Sequence, residues 1–367
     1  MPSDKKSLVV VTGGTGGHLF PAIALSEEMK IRDYKIYFFV DKKNNLLPQS
    51  KFVTCKIFSS KLNKENLFKF LFSIFIICIG IFQSIFLLFK YRPAAVIGFG
   101  GYVSFPSILA ASFLSIPICI YEQNKVIGRT NKILTKRADL LLSAFKSVDS
   151  LDKKQKHKFR HVGFIVRKDI LNLRSREYSY PNSLEPINIL IFGGSQGALS
   201  FSKFIPKAFS KLPLSFRKIL RIRQQCRKED IEMVKEFYTR EEINAKVLDF
   251  IHDMDSHLTK SHLVISRAGA STVGELTTTG TPSILIPFPY ATDNHQFENA
   301  EELKKHKACW VVEEKNLDSD ELSNLLFYIL STPLELKNTS NAARKYFQVG
   351  TLDLFADFIS TIIEKNN

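Results

Sequence analysis

Apolar runs rich in Val, Ile and Leu alternate along the chain with segments in which apolar residues recur at helical spacing. Strands that alternate with helices are typical of βαβ units, which build parallel sheets. The strands predicted in the first half are residues 8–12, 35–40, 52–58, 95–98, 118–121 and 140–143. Those predicted in the second half are residues 187–192, 218–222, 246–249, 263–266, 283–286 and 309–312. The pattern therefore predicts an α/β protein with two Rossmann-like, doubly wound parallel sheets.

Two domains are expected, because 367 residues exceed what one hydrophobic core usually supports. A basic, polar stretch at residues 146–160 follows the first set of strands, and the apolar pattern restarts after Pro181. Both halves begin with a strand that runs into two glycines. Ligands of doubly wound sheets bind at the carboxyl ends of the strands, so we expect the two sheets to face a ligand cleft.

Residues 70–89 contain no charged side chain and would be about long enough to cross a bilayer as a helix. A span would put the His18 loop and the 98–102 loop on opposite sides of the membrane, although both follow strands of one predicted sheet. A buried helix and a helix lying in the membrane interface remain as alternatives. The second is favoured, because nearly every face is apolar and basic residues flank the segment. These flanking residues are Lys61, Lys64, Lys69, Lys90 and Arg92.

The net charge of +15 favours an anionic partner, such as a membrane surface, a phosphate-rich substrate or a nucleic acid. Nucleic acid is not expected as a partner, because the sequence has neither an RNA-binding aromatic signature nor a Cys/His finger. The five cysteines are scattered without metal-ligand or redox spacing, which suits a reducing cytosol. The charged N-terminus predicts that there is no signal peptide.

Glycine-rich loops follow three predicted strands and are candidate phosphate sites. Glycines let the backbone approach a ligand closely, and a following helix offers N–H groups to an anion. The first loop ends at His18 and lacks the spacing of dinucleotide and nucleoside triphosphate sites. For this loop, a tight turn with a capping histidine is the alternative. Tyr102 closes the second loop, and Ser195 in the third is placed to donate to phosphate. The three loops are residues 12–18, 98–102 and 193–198.

A strand, a glycine turn and a helix are predicted again at residues 263–276, with Glu275 in the first turns of the helix. A carboxylate there can accept both hydroxyls of a ribose or can pair with the helix dipole, and both interpretations remain open. Residues 293–299 are rich in side chains that bond sugar hydroxyls, and residues 122–124 bring polar groups to the His18 side.

Six motifs, in order over most of the chain, resemble those of the MurG family. They are GGTGGH, GFGGYVSFP, YEQNKVIGRTNK, GGSQGA, SRAGASTVGE and PYATDNHQFENA. This family transfers N-acetylglucosamine from its UDP form to lipid I, which is undecaprenyl-pyrophosphoryl-MurNAc-pentapeptide, and so makes lipid II for peptidoglycan. The chain departs from the family pattern at residues 164–167 and 223–226 and at Ser202, where the family usually has Asn-Pro before Val-Arg, His-Gln-Ser-Gly and Asn.

The resemblance implies a GT-B glycosyltransferase fold and a set of substrate-binding residues. Residues 1–165 would bind lipid I and the membrane, residues 166–345 would bind UDP-N-acetylglucosamine, and residues 346–367 would pack back on the first domain. His18 would be the catalytic base, with Glu122 as its rival. In addition to Tyr102, the implied substrate-binding residues are Thr15, Gly16, Gly17, Asn124, Arg167, Ser195, Ile251, Ala270, Ser271, Thr272, Val273, Gly274, Glu275 and Gln296.

The resulting expectation is an inverting hexosyltransferase that acts on the 4-hydroxyl of the N-acetylmuramoyl unit. Helix N-termini would take the role of a cation, so neither a metal nor a cofactor is expected. The expected location is the cytoplasmic face of the inner membrane, as a peripheral protein of cell-wall synthesis, cell shape and cell division. Cell-wall synthesis and division proteins are further candidate partners. A UDP-sugar 2-epimerase of the same fold and a non-catalytic lipid-pyrophosphate-binding protein remain as alternatives.

Overall fold

The computed structural model describes residues 7–13, 16–41, 52–62, 66–181, 185–194 and 197–365. The chain divides into two compact units, the first Met1–Arg167 with Gln348–Asn367 and the second Lys168–Phe347. Each unit has its own parallel sheet and its own apolar core. Thr15 and Ser195, two of the predicted substrate-binding residues, lie outside the described residues.

Within the described residues, the first unit forms a seven-stranded parallel sheet in the order β3-β2-β1-β4-β5-β6-β7. Its strands are β1 (Ser7–Thr12), β2 (Lys35–Asp41), β3 (Val53–Ile57), β4 (Ala95–Gly98), β5 (Ile118–Glu122), β6 (Leu140–Ser143) and β7 (Phe159–His161). Its helices are α1 (Gly16–Ile31), α2 (Leu67–Tyr91), α3 (Ser104–Phe113), α4 (Arg129–Leu134) and the C-terminal α14 (Thr351–Lys365). The strand order reverses between β1 and β4, and ligands of such sheets bind at this point.

The second unit repeats this plan, with a six-stranded parallel sheet in its described part in the order β10-β9-β8-β11-β12-β13. Its strands are β8 (Ile187–Phe192), β9 (Leu220–Gln225), β10 (Ala245–Leu248), β11 (Leu263–Ser266), β12 (Ser283–Leu285) and β13 (Trp310–Val311). Its helices are α5 (Lys168–Leu171), α6 (Leu199–Ser210), α7 (Leu214–Ile219), α8 (Ile231–Arg240), α9 (Met254–Lys260), α10 (Ala270–Thr279), α11 (His295–Lys305), α12 (Ser319–Leu330) and α13 (Pro333–Tyr346). Here the strand order reverses between β8 and β11.

The predicted doubly wound α/β class is confirmed, but two strand assignments were wrong. The basic stretch 146–160, in which no strand was predicted, contributes the start of β7, which pairs with β6 at the sheet edge. The strand predicted at 218–222 is instead β9 at Leu220–Gln225, because residues 214–219 form α7. Edge strands such as β7 are half-exposed and do not need an apolar run, so the sequence pattern missed it.

Helix α14 completes the core of the first unit from the far end of the chain. Its Phe355 is fully buried and lies 5.6 Å from the Tyr121 ring and 6.3 Å from the Phe99 ring. At the surface, Arg32, which directly follows α1, forms ion pairs with Asp353 and Asp357. The residues before and after the second unit in sequence therefore belong to one body.

Helix α2 buries mostly small side chains and exposes most of its phenylalanines. Its buried residues are Ser73, Gly80, Ser84 and Leu88. Phe82 and Phe86 are 73% and 68% exposed. The further exposed apolar residues of this helix are Leu67, Phe68, Leu71, Phe72, Ile74, Phe75 and Phe89. Among the described residues, α2 is the one helix that is long and apolar enough to cross a membrane by length and composition.

Polar contacts fix α2 to the rest of the first unit along its inner side. The hydroxyls of Ser84 and Ser107 lie 3.1 Å apart, which joins α2 to α3. The Gln83 amide donates to the Lys56 carbonyl of β3 and accepts from the Phe58 backbone N–H, at 2.9 and 3.0 Å. The inner side of α2 is therefore packed against β3 and α3, whereas its aromatic side is exposed.

We expect Gly80→Ala to destabilise the first unit, because a Cβ at position 80 would collide with the Phe58 carbonyl oxygen. Helix propensity alone predicts the opposite sign, a gain of about 1 kcal/mol, whereas overpacking costs about 1–3 kcal/mol. The midpoint of urea unfolding should therefore fall in Gly80→Ala. Cys78→Ala, at an exposed position of the same helix, is the matched control and should change little. A raised midpoint in Gly80→Ala would contradict the close packing of α2.

Candidate functional site

His18 lies at the carboxyl edge of the first sheet, in the first turn of α1. Its Nδ1 is 3.0 Å from the Nε2 of Gln123, which follows β5. Gly100, after β4, adopts a φ of +89°, and a Cβ there would come within 3.3 Å of the His18 ring. Glycine is needed at this position, because other residues rarely adopt a positive φ. The ends of β1, β4 and β5 therefore converge around one imidazole.

The tautomer of His18 and the orientation of the Gln123 amide depend on each other. An amide N–H can only donate, so with Nε2 facing the ring, Nδ1 accepts and the imidazole proton lies on Nε2. A half-turn of the amide would present its oxygen to an Nδ1–H and leave Nε2 unprotonated. The second orientation is the one that prepares Nε2 as a base. Sequence reasoning quoted Gln123 only as a neighbour of the predicted site residues.

Glu122 is buried and accepts four hydrogen bonds. Its Oε1 accepts from the backbone N–H and the side-chain amide of Asn124 at 3.0 and 3.3 Å. Its Oε2 accepts from the Gly128 N–H at 2.9 Å and from the Asn131 amide at 2.8 Å. A carboxylate with four donors is a strong, stable acceptor. This arrangement favours a positioning role, in which Glu122 orders the loop that carries Gln123 and Asn124.

Tyr102 lies near the carboxyl edge of the first sheet, and Arg167 lies beside the first turns of α1. The Tyr102 hydroxyl donates to the Asp41 carboxylate at the end of β2. Burial and this hydrogen bond raise the pKa of Tyr102 to about 12, so it remains a neutral hydroxyl at physiological pH. The Arg167 guanidinium lies 5.4 Å from the centre of the Phe20 ring of α1, within cation–π distance.

In the second unit, a charged cluster supports the glycine loop after β8. Arg227 donates to both oxygens of Asp230, each at 2.8 Å, and Ser202 of α6 donates to the same carboxylate at 2.9 Å. The Arg227 guanidinium holds the pKa of Asp230 below its usual range. Gly197 adopts a φ of +69°, and a Cβ there would lie 2.9 Å from the Arg227 backbone nitrogen. Gly197 is therefore packed closely against the backbone of Arg227, whose side chain is fixed by Asp230.

The predicted nucleotide-binding residues follow the ends of β10, β11 and β12, of which β11 and β12 are neighbours in the second sheet. Residues 270–275 form the start of α10 after β11, and Glu275 is half-buried in its second turn. Ile251 follows β10 and is buried. Gln296 lies in the first turn of α11, and its Oε1 accepts from the Phe288 N–H at 3.0 Å, which leaves its NH₂ group as the donor end.

Arg267 is a residue of this edge that sequence reasoning quoted only within a motif. It is 7% exposed, pairs with Glu314 and donates to the carbonyls of residues 286 and 287 at 3.1 and 3.2 Å. Its guanidinium also lies 4.8 Å from the Phe201 ring and 5.4 Å from the Phe288 ring. Arg267 therefore ties the ends of β11 and β12 together. An arginine directly after an apolar strand was the available signal.

Within each unit, the described site residues lie at the carboxyl edge of the sheet. They follow the adjacent strands β1, β4 and β5 in the first unit, and β10 and the adjacent pair β11 and β12 in the second. In the first unit these are Gly16, Gly17, His18, Tyr102, Glu122 and Asn124. In the second unit they are Ile251, Ala270, Ser271, Thr272, Val273, Gly274, Glu275 and Gln296. No group of three or more His, Cys, Asp or Glu that could hold a metal ion occurs in the described part of the chain.

Comparison with known proteins finds similarity over both units. Residues 8–142 match the glycosyltransferase family 28 N-terminal domain, and residues 188–353 match the family 28 C-terminal domain. A UDP-N-acetylglucosamine–N-acetylmuramyl-(pentapeptide) pyrophosphoryl-undecaprenol N-acetylglucosamine transferase from Paramagnetospirillum magneticum is 37% identical over 99% of this chain and 98% of its own length.

Solved structures show the same architecture. The crystal structure of Acinetobacter baumannii MurG aligns with a TM-score of 0.80 and 27% identity, over 97% of this chain and 99% of that one. A UDP-GlcNAc 2-epimerase from Neisseria meningitidis aligns with a TM-score of 0.66 over 97% of this chain and 100% of that one. At 10% identity, the second likeness concerns the fold alone.

Proposed function

Because the chain belongs to the MurG family of glycosyltransferases, we propose that it transfers N-acetylglucosamine from UDP-N-acetylglucosamine to lipid I. The product is lipid II, the disaccharide precursor of peptidoglycan. The observation that carries this proposal is the 37% identity over 99% of the chain to a relative named for that reaction. Both the N-terminal and the C-terminal domain of glycosyltransferase family 28 are matched, which supports the proposal for both units.

The reaction is an inverting displacement at C1 of N-acetylglucosamine. The 4-hydroxyl oxygen of the acceptor forms the new bond to C1 as the bond from C1 to the UDP phosphate breaks. The hydroxyl proton passes to a base, and the negative charge that develops on UDP needs stabilisation. The N-terminus of α10, which begins directly after Gly269, supplies backbone N–H groups and a partial positive charge for this purpose.

In the first unit, the residues proposed for the acceptor and the reaction centre surround His18. We assign His18 as the base, because its imidazole lies at the carboxyl edge of the sheet. In this role the Gln123 amide turns its oxygen towards an Nδ1–H, so that Nε2 accepts the proton. Gly16 and Gly17 allow a close approach of sugar or diphosphate at the start of α1. Asn124 is proposed for the sugar, and Glu122 supports it through two hydrogen bonds.

In the second unit, the proposed donor site follows β10, β11 and β12. Glu275 is proposed to accept the ribose hydroxyls, residues 270–274 to face the phosphates and the Ile251 backbone to bind uracil. The NH₂ group of Gln296 is proposed for N-acetylglucosamine, because its carbonyl end is already engaged by Phe288. Arg267 is proposed as a positioning residue, since it joins the loops that follow β11 and β12.

We also propose that the enzyme acts as a peripheral protein on the cytoplasmic face of the membrane, held by α2. Lipid I has a long isoprenoid chain, so an enzyme that uses it must work at the bilayer surface. The outward aromatic side of α2 fits an interfacial helix, and Lys69 and Lys90 near its ends fit anionic headgroups. Both ends of α2 connect to strands of one sheet, and its inner side is bonded to β3 and α3, which argues against a span.

Phe82→Ser combined with Phe86→Ser is expected to release most of the protein from anionic vesicles, because the two side chains provide apolar area on the outer side of α2. High salt should weaken the binding of the unchanged protein by screening the lysines. Sedimentation with vesicles measures both effects. Met233→Ser with Leu334→Ser, at exposed apolar positions of the second unit, is the control and should bind as before. Protease protection of one chain terminus in sealed vesicles would show a true span instead.

One incubation separates the proposed activity from its alternatives. Labelled UDP-N-acetylglucosamine and lipid I are mixed with the protein, and the products are resolved by chromatography. Transfer of label to the lipid supports the proposal, isomerisation of the free sugar nucleotide indicates an epimerase, and binding without turnover indicates a non-catalytic protein. The likeness to the epimerase is one of fold, and the near-full-length relative at 37% identity favours transfer.

A further inference from the structure

A basic cavity in the second unit is lined by residues other than those proposed for the donor site. It encloses about 300 Å³ between α9 and the face of the sheet formed by β8, β9 and β10. Its cationic side chains are Arg221, Arg223, Lys246 and Lys260. None of the described residues that line it is an Asp or a Glu. The cavity therefore concentrates positive charge in a small concave space.

The strand pattern explains why the basic side chains share one face. In β9, Leu220 and Ile222 are buried in the core of the second unit, and the intervening Arg221 and Arg223 point to the opposite face. Arg223 is paired directly with Lys246 across the parallel ladder. Like charges at directly opposed positions repel each other. Within the described residues, none of these four cations forms an ion pair with a carboxylate: Arg221, Arg223, Lys246 and Lys260.

His257, a buried histidine at the wall of the cavity, is affected by this positive charge. Arg223 donates to the Nδ1 of His257 at 2.6 Å, which places the imidazole proton on Nε2, 3.4 Å from Asp253. Burial lowers the pKa of His257, and the charges of Arg223, Lys260 and Lys246 lower it further, against the opposing effect of Asp253. The cations in and around the cavity therefore outweigh the one carboxylate that faces the imidazole.

We propose that this cavity binds the phosphate groups of a small anionic ligand. A guanidinium fork matches two phosphate oxygens, lysines add point charges, and the amides of Asn188 and Asn244 can donate at the wall. Lysines on an edge strand such as β10 can simply prevent sheet-to-sheet association. That role requires neither a cavity nor a buried histidine hydrogen-bonded to Arg223. The phosphate can come from a soluble compound or from a lipid headgroup, and the two sources are distinguished by experiment.

Calorimetric titration with inorganic pyrophosphate tests the proposal for a soluble ligand. Saturating UDP keeps the probe out of the proposed donor site, and the ionic strength is held constant. Arg223→Gln with Lys246→Gln should weaken pyrophosphate binding by roughly tenfold or more, since two charge-assisted contacts are lost. Lys337→Gln with Lys345→Gln on α13 removes the same charge from exposed positions outside the cavity and should leave the affinity unchanged. Equal effects of the two pairs of substitutions would overturn a soluble ligand at this cavity.

Vesicle sedimentation tests the lipid source with the same two double variants. The probes are phosphatidylcholine vesicles with and without phosphatidylglycerol. A loss of binding to the anionic vesicles confined to the Arg223 and Lys246 variant, and reproduced by adding pyrophosphate to the unchanged protein, identifies a headgroup. Pyrophosphate binding without this loss identifies a soluble ligand. If neither pyrophosphate nor anionic vesicles distinguish the two double variants, the proposal is overturned.

The pKa of His257, followed by NMR, locates the bound anion. Saturating pyrophosphate or the soluble headgroup glycerol phosphate should raise the pKa of His257 in the unchanged protein, because an anion offsets the charge of Arg223 and Lys246. His257→Gln assigns the resonance. Ligand binding that leaves this pKa unchanged would place the anion elsewhere and overturn the assignment.

Discussion

Replacing His18 with alanine is expected to lower turnover about 100- to 10,000-fold while the affinity for UDP-N-acetylglucosamine changes little. An inverting transfer needs a base on the face of the sugar opposite the departing UDP, and an imidazole is suited to that task near neutral pH. His18 lies at the sheet edge where β1, β4 and β5 end, within hydrogen-bonding distance of the Gln123 amide. The loss should therefore appear in the chemical step rather than in donor binding.

The pH profile of turnover is the measurement that decides the identity of the base. The acidic limb of the wild-type profile should disappear in His18→Ala and persist in Glu122→Gln. Glu122→Gln should instead lower thermal stability, because the buried carboxylate holds a loop through four hydrogen bonds. An acidic limb that survives in His18→Ala and is lost in Glu122→Gln would reverse the two roles. A histidine that only orders the glycine loop would instead lower stability or donor affinity.

Glu275→Ala is expected to weaken donor binding and to lower catalytic efficiency about 30- to 1000-fold. Two charge-assisted hydrogen bonds to ribose would be lost, together worth roughly 2–4 kcal/mol. The half-buried position of Glu275 in the second turn of α10, after the Gly269 turn, is what motivates this expectation. Calorimetric titration with UDP and steady-state kinetics measure the two effects separately.

Glu335→Ala is the matched control for Glu275→Ala, because Glu335 is a carboxylate in the first turn of α13 outside the proposed site. It should leave UDP affinity unchanged and alter stability only slightly. If Glu275→Ala behaves in the same way, its carboxylate serves the helix dipole and is not part of the donor site.

Hydrophobic periodicity was sufficient to predict the two parallel sheets, because buried parallel strands are continuous apolar runs. The sequence also indicated the point in each sheet at which the strand order reverses. The glycine loops at residues 12–18 and 193–198 follow β1 and β8, which lie at these points. The pattern failed for β7, which is a half-exposed edge strand, and for the start of β9, where α7 and the strand are directly joined. Local sequence does not mark such boundaries.

The partnerships within the site were not predictable, because they join residues far apart in sequence. The contact between His18 and Gln123 spans 105 positions, and Arg267 bonds to the carbonyls of residues 286 and 287.

The sequence also did not show which side of α2 is buried. Its buried residues include the small side chains of Ser73, Gly80 and Ser84, which do not form the apolar stripe that normally marks the buried face of a helix. A helix that packs through small residues has its aromatic side available for another environment, and only the packing reveals which side that is.

The placement of α14 has a consequence for the order in which a ribosome-bound chain can mature. Phe355 of α14 packs beside Phe99 and Tyr121. The core of the first unit is therefore incomplete until α14 leaves the exit tunnel. The second unit ends at Phe347 and has its full set of residues earlier. Although its strands are translated first, the half of the protein that carries His18 is thus the last to reach its finished form. A chain that ends before Thr351 would lack the helix that closes the first unit.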